Sequence, residues 1–160
     1  MKMQLLQEKP RKAWFLASGA SGALINALRR AVIADLPAFA VDEVQFYENT
    51  SSMFNEYIAA RIGQVPLTFE ESSKSSSVTF SLDAEAVDAD KTVYSGDLIG
   101  TDEAIKPAFL HVPVMKLGKG QRLRFEATAV VGTAREHAKF QSALASFGFV
   151  QEFLDEAEDR

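Results

Sequence analysis

The sequence has 160 residues, of which 47% are hydrophobic and 24% charged, and this composition is that of an ordinary globular chain. Its formal net charge of −5 argues against the chain itself being a major phosphate-binding surface. The absence of cysteine excludes disulfides, thiolate zinc sites and iron–sulfur clusters within these residues. No apolar run is long enough to span a membrane or to act as the core of a signal peptide, so we expect a cytoplasmic protein.

The first elements in chain order are a hairpin and a helix. Residues 3–9 and 12–17 read as two short strands around Pro10. Ser21 then predicts the start of a helix that ends before Pro37. Five apolar residues share one arc of this helix and are predicted to be its core face: Leu24, Ile25, Leu28, Val32 and Leu36.

The opposite flank of this helix carries an amide and guanidinium groups instead of mixed Lys and Glu. Asn26 and Arg30 lie there four residues apart, with Ile33 near Asn26 and Arg29 at the edge of the apolar arc. Small alanines fill the neighbouring positions. This surface suits close packing against another chain.

A strand is predicted next, over residues 39–48. Its apolar positions change parity between Val41 and Val44, which predicts a β-bulge near Asp42 and Glu43. The bulge would redirect the side chains that follow it along the strand.

The polar run 49–52 is expected to start a second helix. Phe54, Ile58 and Ile62 have the spacing of one helical face. Gly63 stands where a C-terminal cap belongs, and the proline at position 66 prevents any continuation.

The sequence from there to residue 131 is predicted to be mainly β. Residues 78–82 and 121–131 alternate between apolar and polar side chains, as strands with one buried face do. The polar run 72–77 predicts a flexible connection, and the acidic run 83–90 predicts a solvated turn in preference to a magnesium site. Two prolines within 106–117 favour an edge strand or an extended path there.

Residues 135–141 are rich in side chains that can carry chemistry. His137 lies between Glu136 and Lys139 and has the chemistry of a base or a ligand. Catalysis would need a partnered nucleophile, and a metal ion needs three or four ligands, whereas His111 is the only other imidazole in the sequence. We therefore predict no catalytic or metal-binding residue, and keep a small enzyme that uses Glu136 and His137 with Arg135 as an alternative.

Several of these segments, in this order, resemble the alpha-type assembly subunit of cellular RNA polymerase. The first group consists of residues 26–30 (NALRR), 33–37 (IADLP) and 40–44 (AVDEV). A second group is closer to the archaeal D-type member of this family and its eukaryotic counterparts than to bacterial alpha: 47–49 (YEN), 56–67 (EYIAARIGQVPL), Gly132 and 135–141 (REHAKFQ). Ala60 departs from the archaeal pattern, which usually has His there.

The resemblance, taken with the predicted elements, implies an α+β fold with two lobes. Residues 1–49 and 142–160 would form a dimerisation lobe, with the 21–36 helix on an antiparallel sheet. Residues 50–141 would form a mostly β insert subdomain with one short helix. Family members continue with a further strand and a long helix, so we expect the dimerisation lobe to be minimal, truncated or completed by another polypeptide.

The resemblance also implies a role as a non-catalytic scaffold in transcription. The lobe would heterodimerise with a small alpha-like subunit of L type, and this pair would nucleate assembly of the large catalytic subunits with the small zinc-bearing subunits N and P. Arg30 is expected to touch the second-largest subunit, DNA and RNA would be reached only through the complex, and no membrane and no cofactor are expected.

A shortened alpha-like paralogue that acts as a regulator or decoy outside the polymerase is the other alternative. In either case the residues expected to bind partners are Asn26, Arg29, Arg30, Ile33, Tyr47, Glu48, Asn49, Arg61, Arg135, Glu136, His137 and Lys139.

Overall fold

The computed structural model describes residues 1–68 and 76–150. They fall into two compact units, one of Met1–Ile33 with Ala143–Arg160 and one of Ala34–Ser142. Most of the predicted flexible run 72–77 and the charged end of the chain lie outside the described residues. The fold is α+β, as predicted.

The first unit contains the predicted hairpin and the first helix. Strands β1 (Lys2–Lys9) and β2 (Lys12–Ser18) pair in antiparallel fashion, and Arg11 turns the chain between them with a φ of 66°. Helix α1 (Gly22–Ala34) starts as predicted, because Ser21 Oγ accepts a hydrogen bond from the Leu24 amide at 3.3 Å.

The prediction that α1 has a buried core face is wrong for this chain. No residue of α1 is buried, and Leu24 and Leu28 are 48% and 38% exposed. Every residue of β1 is exposed as well, so the hairpin does not bury the apolar face of α1. The physical reason is that one two-stranded hairpin and one helix supply too few layers to bury an apolar arc.

The second unit is organised by an antiparallel sheet whose strand order is β3, β8, β4, β6. Its strands are β3 (Ala38–Asn49), β4 (Ser77–Glu85), β6 (Ile99–Gly100) and β8 (Arg122–Gly132). The register between β3 and β8 shifts between Val41 and Glu43, which confirms the predicted bulge. A second shift separates Phe46 from Glu48.

The core of the second unit lies on one face of this sheet. Both predicted alternations are confirmed, since β4 and β8 each bury every second residue along most of their length. Helix α2 (Asn55–Gly63) covers this face with Ile58 and Ile62. Strand β5 (Lys91–Tyr94) pairs with β7 (Pro113–Leu117), and this ribbon also belongs to the core.

Helix α2 differs from the prediction at both ends. The polar run 49–52 forms a turn and not a cap, because Asn49 Nδ2 donates to the Met53 carbonyl oxygen at 2.9 Å and to Asn55 Oδ1 at 2.7 Å. Phe54 takes the N-cap position and is 71% exposed, so it does not share the buried face of α2. At the other end the cap is Gln64, one residue after Gly63.

Neither α1 nor α2, the two α-helices of the described residues, has the length and the apolar run that crossing a membrane requires.

The two compact units divide the chain after Ile33, whereas the predicted lobes divide it after Asn49. Strand β3 belongs to the second unit because it pairs with β8 along almost its whole length. The assignment of the lobes to dimerisation and insert roles stays a prediction.

Two leucines of opposite burial test this distribution of the core. Leu123 in β8 is 0% exposed, so Leu123→Ala should lower the free energy of unfolding by about 2–5 kcal/mol. Leu28→Ala in α1 should cost less than about 1 kcal/mol, because its side chain is already partly solvated. Urea denaturation of the isolated chain measures both, and a loss of several kcal/mol at Leu28 would show that its face is covered.

Candidate partner-binding surfaces

The polar flank of α1 presents one guanidinium that the described residues leave unused. Arg29 Nε donates to Asn26 Oδ1 at 3.1 Å, so these two side chains support each other. Arg30 is exposed and has no hydrogen-bond or ion-pair partner among the residues that the structure describes. Ile33 is half-buried at the end of the helix.

The first unit also exposes apolar side chains on all of its parts. Leu5, Leu6 and Phe15 of the hairpin are exposed, as are Leu24 and Leu28 of the helix. Exposed apolar side chains mark an interaction site when they form one large patch, whereas singly scattered ones are ordinary on a protein surface. The apolar arc of α1 is therefore partly solvated in the described residues, and its use as a contact surface stays a prediction.

The predicted contact residues Tyr47, Glu48 and Asn49 are engaged within the second unit. The Tyr47 hydroxyl donates to Glu126 Oε2 at 2.9 Å, and this hydrogen bond is the main reason that the pKa of Tyr47 is raised. Asn49 holds the turn before α2. Hydrogen bonds within the second unit thus hold Tyr47 and Asn49, at the end of β3, in place.

Arg122 links the neighbouring strands on the same solvent-facing side of the sheet. Its guanidinium donates to both carboxylate oxygens of Asp83, at 3.0 and 2.8 Å, and lies 3.7 Å from Glu48. The hydrogen bond from Arg122 holds the pKa of Asp83 below its ordinary value. The acidic run 83–90, predicted to be a solvated turn, therefore begins inside β4, and its first carboxylate, that of Asp83, is paired.

Arg61, another predicted contact residue, donates from Nη2 to the Pro113 carbonyl oxygen at 3.0 Å. This bond ties α2 to β7. A role for Arg61 in binding a partner stays a prediction.

The segment Thr133–Gln141 is held onto the start of β3 by two ion pairs. Arg135 pairs with Asp35, and Lys139 pairs with Asp42, the residue at the bulge. Phe140, near the end of this segment, is buried and packs against Gly132. A Cβ atom at position 132 would stand 2.7 Å from the Phe140 ring. Asp35 and Asp42 were not among the predicted site residues, because nothing in the local sequence marks a partner about 100 residues away.

Glu136 and His137 both bind backbone within this segment. Glu136 Oε2 accepts from the Thr133 amide at 2.9 Å, and His137 Nδ1 accepts from the Lys139 amide at 3.1 Å. The two side chains therefore act as turn caps and do not converge on a shared reacting atom. No group of three or more His, Asp or Glu among residues 1–68 and 76–150 is placed to hold a metal ion.

A shallow groove of about 780 Å³ lies beside His137. Its lining is mostly apolar and comprises Leu36, Pro37, Ala38, Phe39, Gln64, Pro66, Leu67, His137, Ala138, Lys139, Gln141 and Ser142. A second depression of about 340 Å³ adjoins it and shares Gln64, His137 and Lys139. Among the described residues that line either depression, no nucleophile is partnered with His137.

Comparison with known proteins gives a family and a set of relatives. Residues 36–151 match the RNA polymerase Rpb3/RpoA insert domain. The DNA-directed RNA polymerase subunit Rpo3 of Thermococcus kodakarensis is 39% identical over 158 residues, which cover 94% of this chain and 60% of the relative. Rpo3 of Pyrococcus furiosus is 40% identical over 157 residues, covering 93% and 59%. Rpo3 of Natronomonas pharaonis is 38% identical over 145 residues, covering 90% and 58%. The chain thus spans about three fifths of the length of these archaeal relatives.

A methyl group at position 132 should disturb the Thr133–Gln141 segment. Gly132→Ala would place its Cβ 2.7 Å from the Phe140 ring and 2.8 Å from Glu136 Oε2, and such overpacking costs about 1–3 kcal/mol. We expect faster amide exchange at residues 137–140. Gly148→Ala is the matched control because its Cβ would meet nothing within 4 Å, and equal protection in both variants would contradict the packing of Phe140.

The pairing of Asp83 with Arg122 predicts a dependence on pH. Since the pKa of Asp83 is lowered in the folded state, the stabilisation from this pair is present above the unfolded pKa near 3.9 and is lost as pH falls through the folded pKa. Arg122→Gln should raise the pKa of Asp83 towards about 3.9 in a carboxyl NMR titration. Lys116→Gln should raise that of Asp90 and leave Asp83 unchanged, because Lys116 is paired with Asp90.

Proposed function

Because the chain belongs to the RNA polymerase Rpb3/RpoA insert domain family, we propose that it is a non-catalytic scaffold of a DNA-directed RNA polymerase and acts in transcription. The resemblance read from the motifs is confirmed at the level of the family. The relatives are named as subunits of the polymerase, and this chain matches most of its own length to them.

The observation that carries the proposal is the uncovered apolar arc of α1. Leu24 and Leu28 face solvent together with the apolar residues of the hairpin, although the helix pattern is that of a packed element. Burying a leucine that is fully exposed contributes about 1.5–3 kcal/mol, and because Leu24 and Leu28 are 48% and 38% exposed, a partner that covers them gains a fraction of that value from each. We propose that this partner is the small alpha-like subunit of L type.

We propose that the remaining predicted contact residues bind other subunits of the polymerase. Arg30, which is unused within the described residues, is proposed to bind the second-largest subunit, with Asn26, Arg29 and Ile33 around it. The small subunits N and P would join the same assembly. Tyr47–Asn49, Arg61 and Arg135–Lys139 complete the proposed contact set, and DNA and RNA are reached only through the complex.

In the proposed role the chain carries out no reaction of its own and needs no cofactor. Glu136 and His137 are each bound to a backbone amide, and His137 has no partnered nucleophile among the described residues. A protein of this role works in the cytoplasm and holds other subunits in place. The magnesium-dependent polymerisation belongs to the catalytic subunits.

Removing the Arg30 guanidinium tests the proposed scaffold role. Arg30→Ala should leave the melting temperature of the isolated chain unchanged and lower recovery of the second-largest subunit in a pull-down. A desolvated, paired interface arginine costs about 2 kcal/mol or more when truncated, which is roughly thirtyfold in affinity. Lys91→Ala is the control, since it removes an exposed cation from β5.

Two results would count against this role. Unchanged recovery with Arg30→Ala would remove Arg30 from the interface. If size-exclusion chromatography showed that the wild-type chain binds the L-type subunit but never enters a complex with the large subunits, the regulator or decoy paralogue would be the better description.

A further inference from the structure

The hairpin of the first unit carries a cluster of cations around the only tryptophan of the chain. Lys9 and Lys12 lie directly opposite each other on β1 and β2, and their Nζ atoms lie 5.6 and 4.5 Å from the centroid of the Trp14 ring. Arg11 lies in the turn between the strands, and all three cations are exposed. We refer to Lys9, Arg11, Lys12 and Trp14 as the basic tip.

The two lysines of the basic tip have no counter-charge on their own face of the hairpin. Like charges directly opposite on neighbouring strands repel, although contact with the Trp14 ring offsets part of this repulsion. Glu8 is the only acid of the hairpin, and it lies on the other face because it precedes Lys9 in β1. Neither Lys9 nor Lys12 has an acidic partner among residues 1–68 and 76–150. The tip is therefore suited to an anionic occupant.

The charges of the first unit are divided between two parts of its sequence. Residues 1–33 and 143–150 contain six Lys or Arg residues, and Glu8 is their one acid. Residues 151–160, which complete this unit, contain five acids and one arginine. These ten residues, the acidic segment, lie outside the described residues. Their charge is complementary to that of the basic tip.

The acidic segment is long enough to reach the tip. A Cβ atom at Gly22 would stand 3.3 Å from the Phe149 ring, so the described chain ends close to the start of α1. Strand β2 ends nearby in sequence, at Ser18, and extends about 20 Å from there to Lys12 at about 3.3 Å per residue. Ten extended residues span up to about 33 Å, which exceeds the length of this strand.

We propose that carboxylates of the acidic segment bind the basic tip in the isolated chain, and so occupy a surface that would otherwise take other polyanions. A segment joined to the same unit binds at a high effective concentration. A nucleic acid is the competing occupant, and the net charge of −5 on the whole chain disfavours it. The inference does not depend on the scaffold role proposed above.

A single spin label measures this contact. Because the chain has no cysteine, Arg160→Cys gives one attachment site for a nitroxide, whose unpaired electron broadens the NMR signals of nearby protons. We expect the amide signals of residues 9–12 and the Trp14 indole signal to lose at least half of their intensity at about 10 mM salt. The intensity should return at about 1 M salt, where the Debye length falls to about 3 Å.

Two sets of neutral substitutions separate the acidic segment from the net charge. The segment variant changes all five of its acids: Glu152→Gln, Asp155→Asn, Glu156→Gln, Glu158→Gln and Asp159→Asn. The matched control changes five exposed acids of the second unit: Glu43→Gln, Glu56→Gln, Glu85→Gln, Asp88→Asn and Glu103→Gln. Both alter the net charge equally. The tip signals should keep their intensity in the labelled segment variant and stay broadened in the labelled control.

The same variants, without the label, test whether the acidic segment excludes other polyanions. With a single-stranded DNA oligonucleotide as the probe, we expect the segment variant to bind at least fivefold more tightly than the wild-type chain and the control less than twofold. Adding Lys9→Gln and Lys12→Gln to the segment variant should remove this gain.

Three results would overturn the proposal. One is broadening at the tip that persists in the segment variant or at about 1 M salt. Another is broadening confined to Arg29 and Arg30, which would place the acidic segment on α1. The third is equal binding of the oligonucleotide by the segment variant and the control, because the gain would then follow from net charge alone.

Discussion

Strand β8 is hydrogen-bonded along both of its edges, to β3 on one side and to β4 on the other. Its buried face holds Leu123, Phe125, Ala127 and Ala129, each 0–1% exposed. Large side chains at one end and alanines at the other let α2 and the β5–β7 ribbon approach the same sheet face. The order of the second unit depends on this strand, because removing it would separate both neighbours at once.

The Thr133–Gln141 segment follows directly from the end of β8 and returns over the start of β3. Its two ion pairs reach Asp35, before the strand, and Asp42, at the bulge. A bulge breaks the regular alternation of a strand, so it can present a carboxylate that a regular strand would place elsewhere. The segment also covers part of an outer strand whose backbone groups would otherwise invite pairing. The parity change seen in the sequence thus determines where the candidate surface is built.

Much of this fold was predictable because it rests on local alternation. Strands β3, β4 and β8, the bulge at Asp42 and the buried pair Ile58 and Ile62 follow from side-chain spacing. The exposure of the apolar face of α1 was not predictable, because periodicity shows that a helix face is apolar but does not show whether the same chain covers it. The capping roles of Glu136 and His137 were not predictable either. Both side chains accept hydrogen bonds from backbone amides, and a sequence pattern does not show whether a side chain binds its own backbone or a ligand.

The contrast between the two units bears on how the chain is stabilised. The second unit buries its large apolar side chains within itself, whereas the first leaves the apolar residues of a hairpin and a helix in solvent. A partner that binds only the folded form stabilises it by mass action, in proportion to the logarithm of its concentration above Kd. That gain falls on the unit whose apolar surface the partner covers. A partner that covered α1 would therefore add to the stability of the first unit, whereas β8 is already packed on both edges and on its buried face within the second unit.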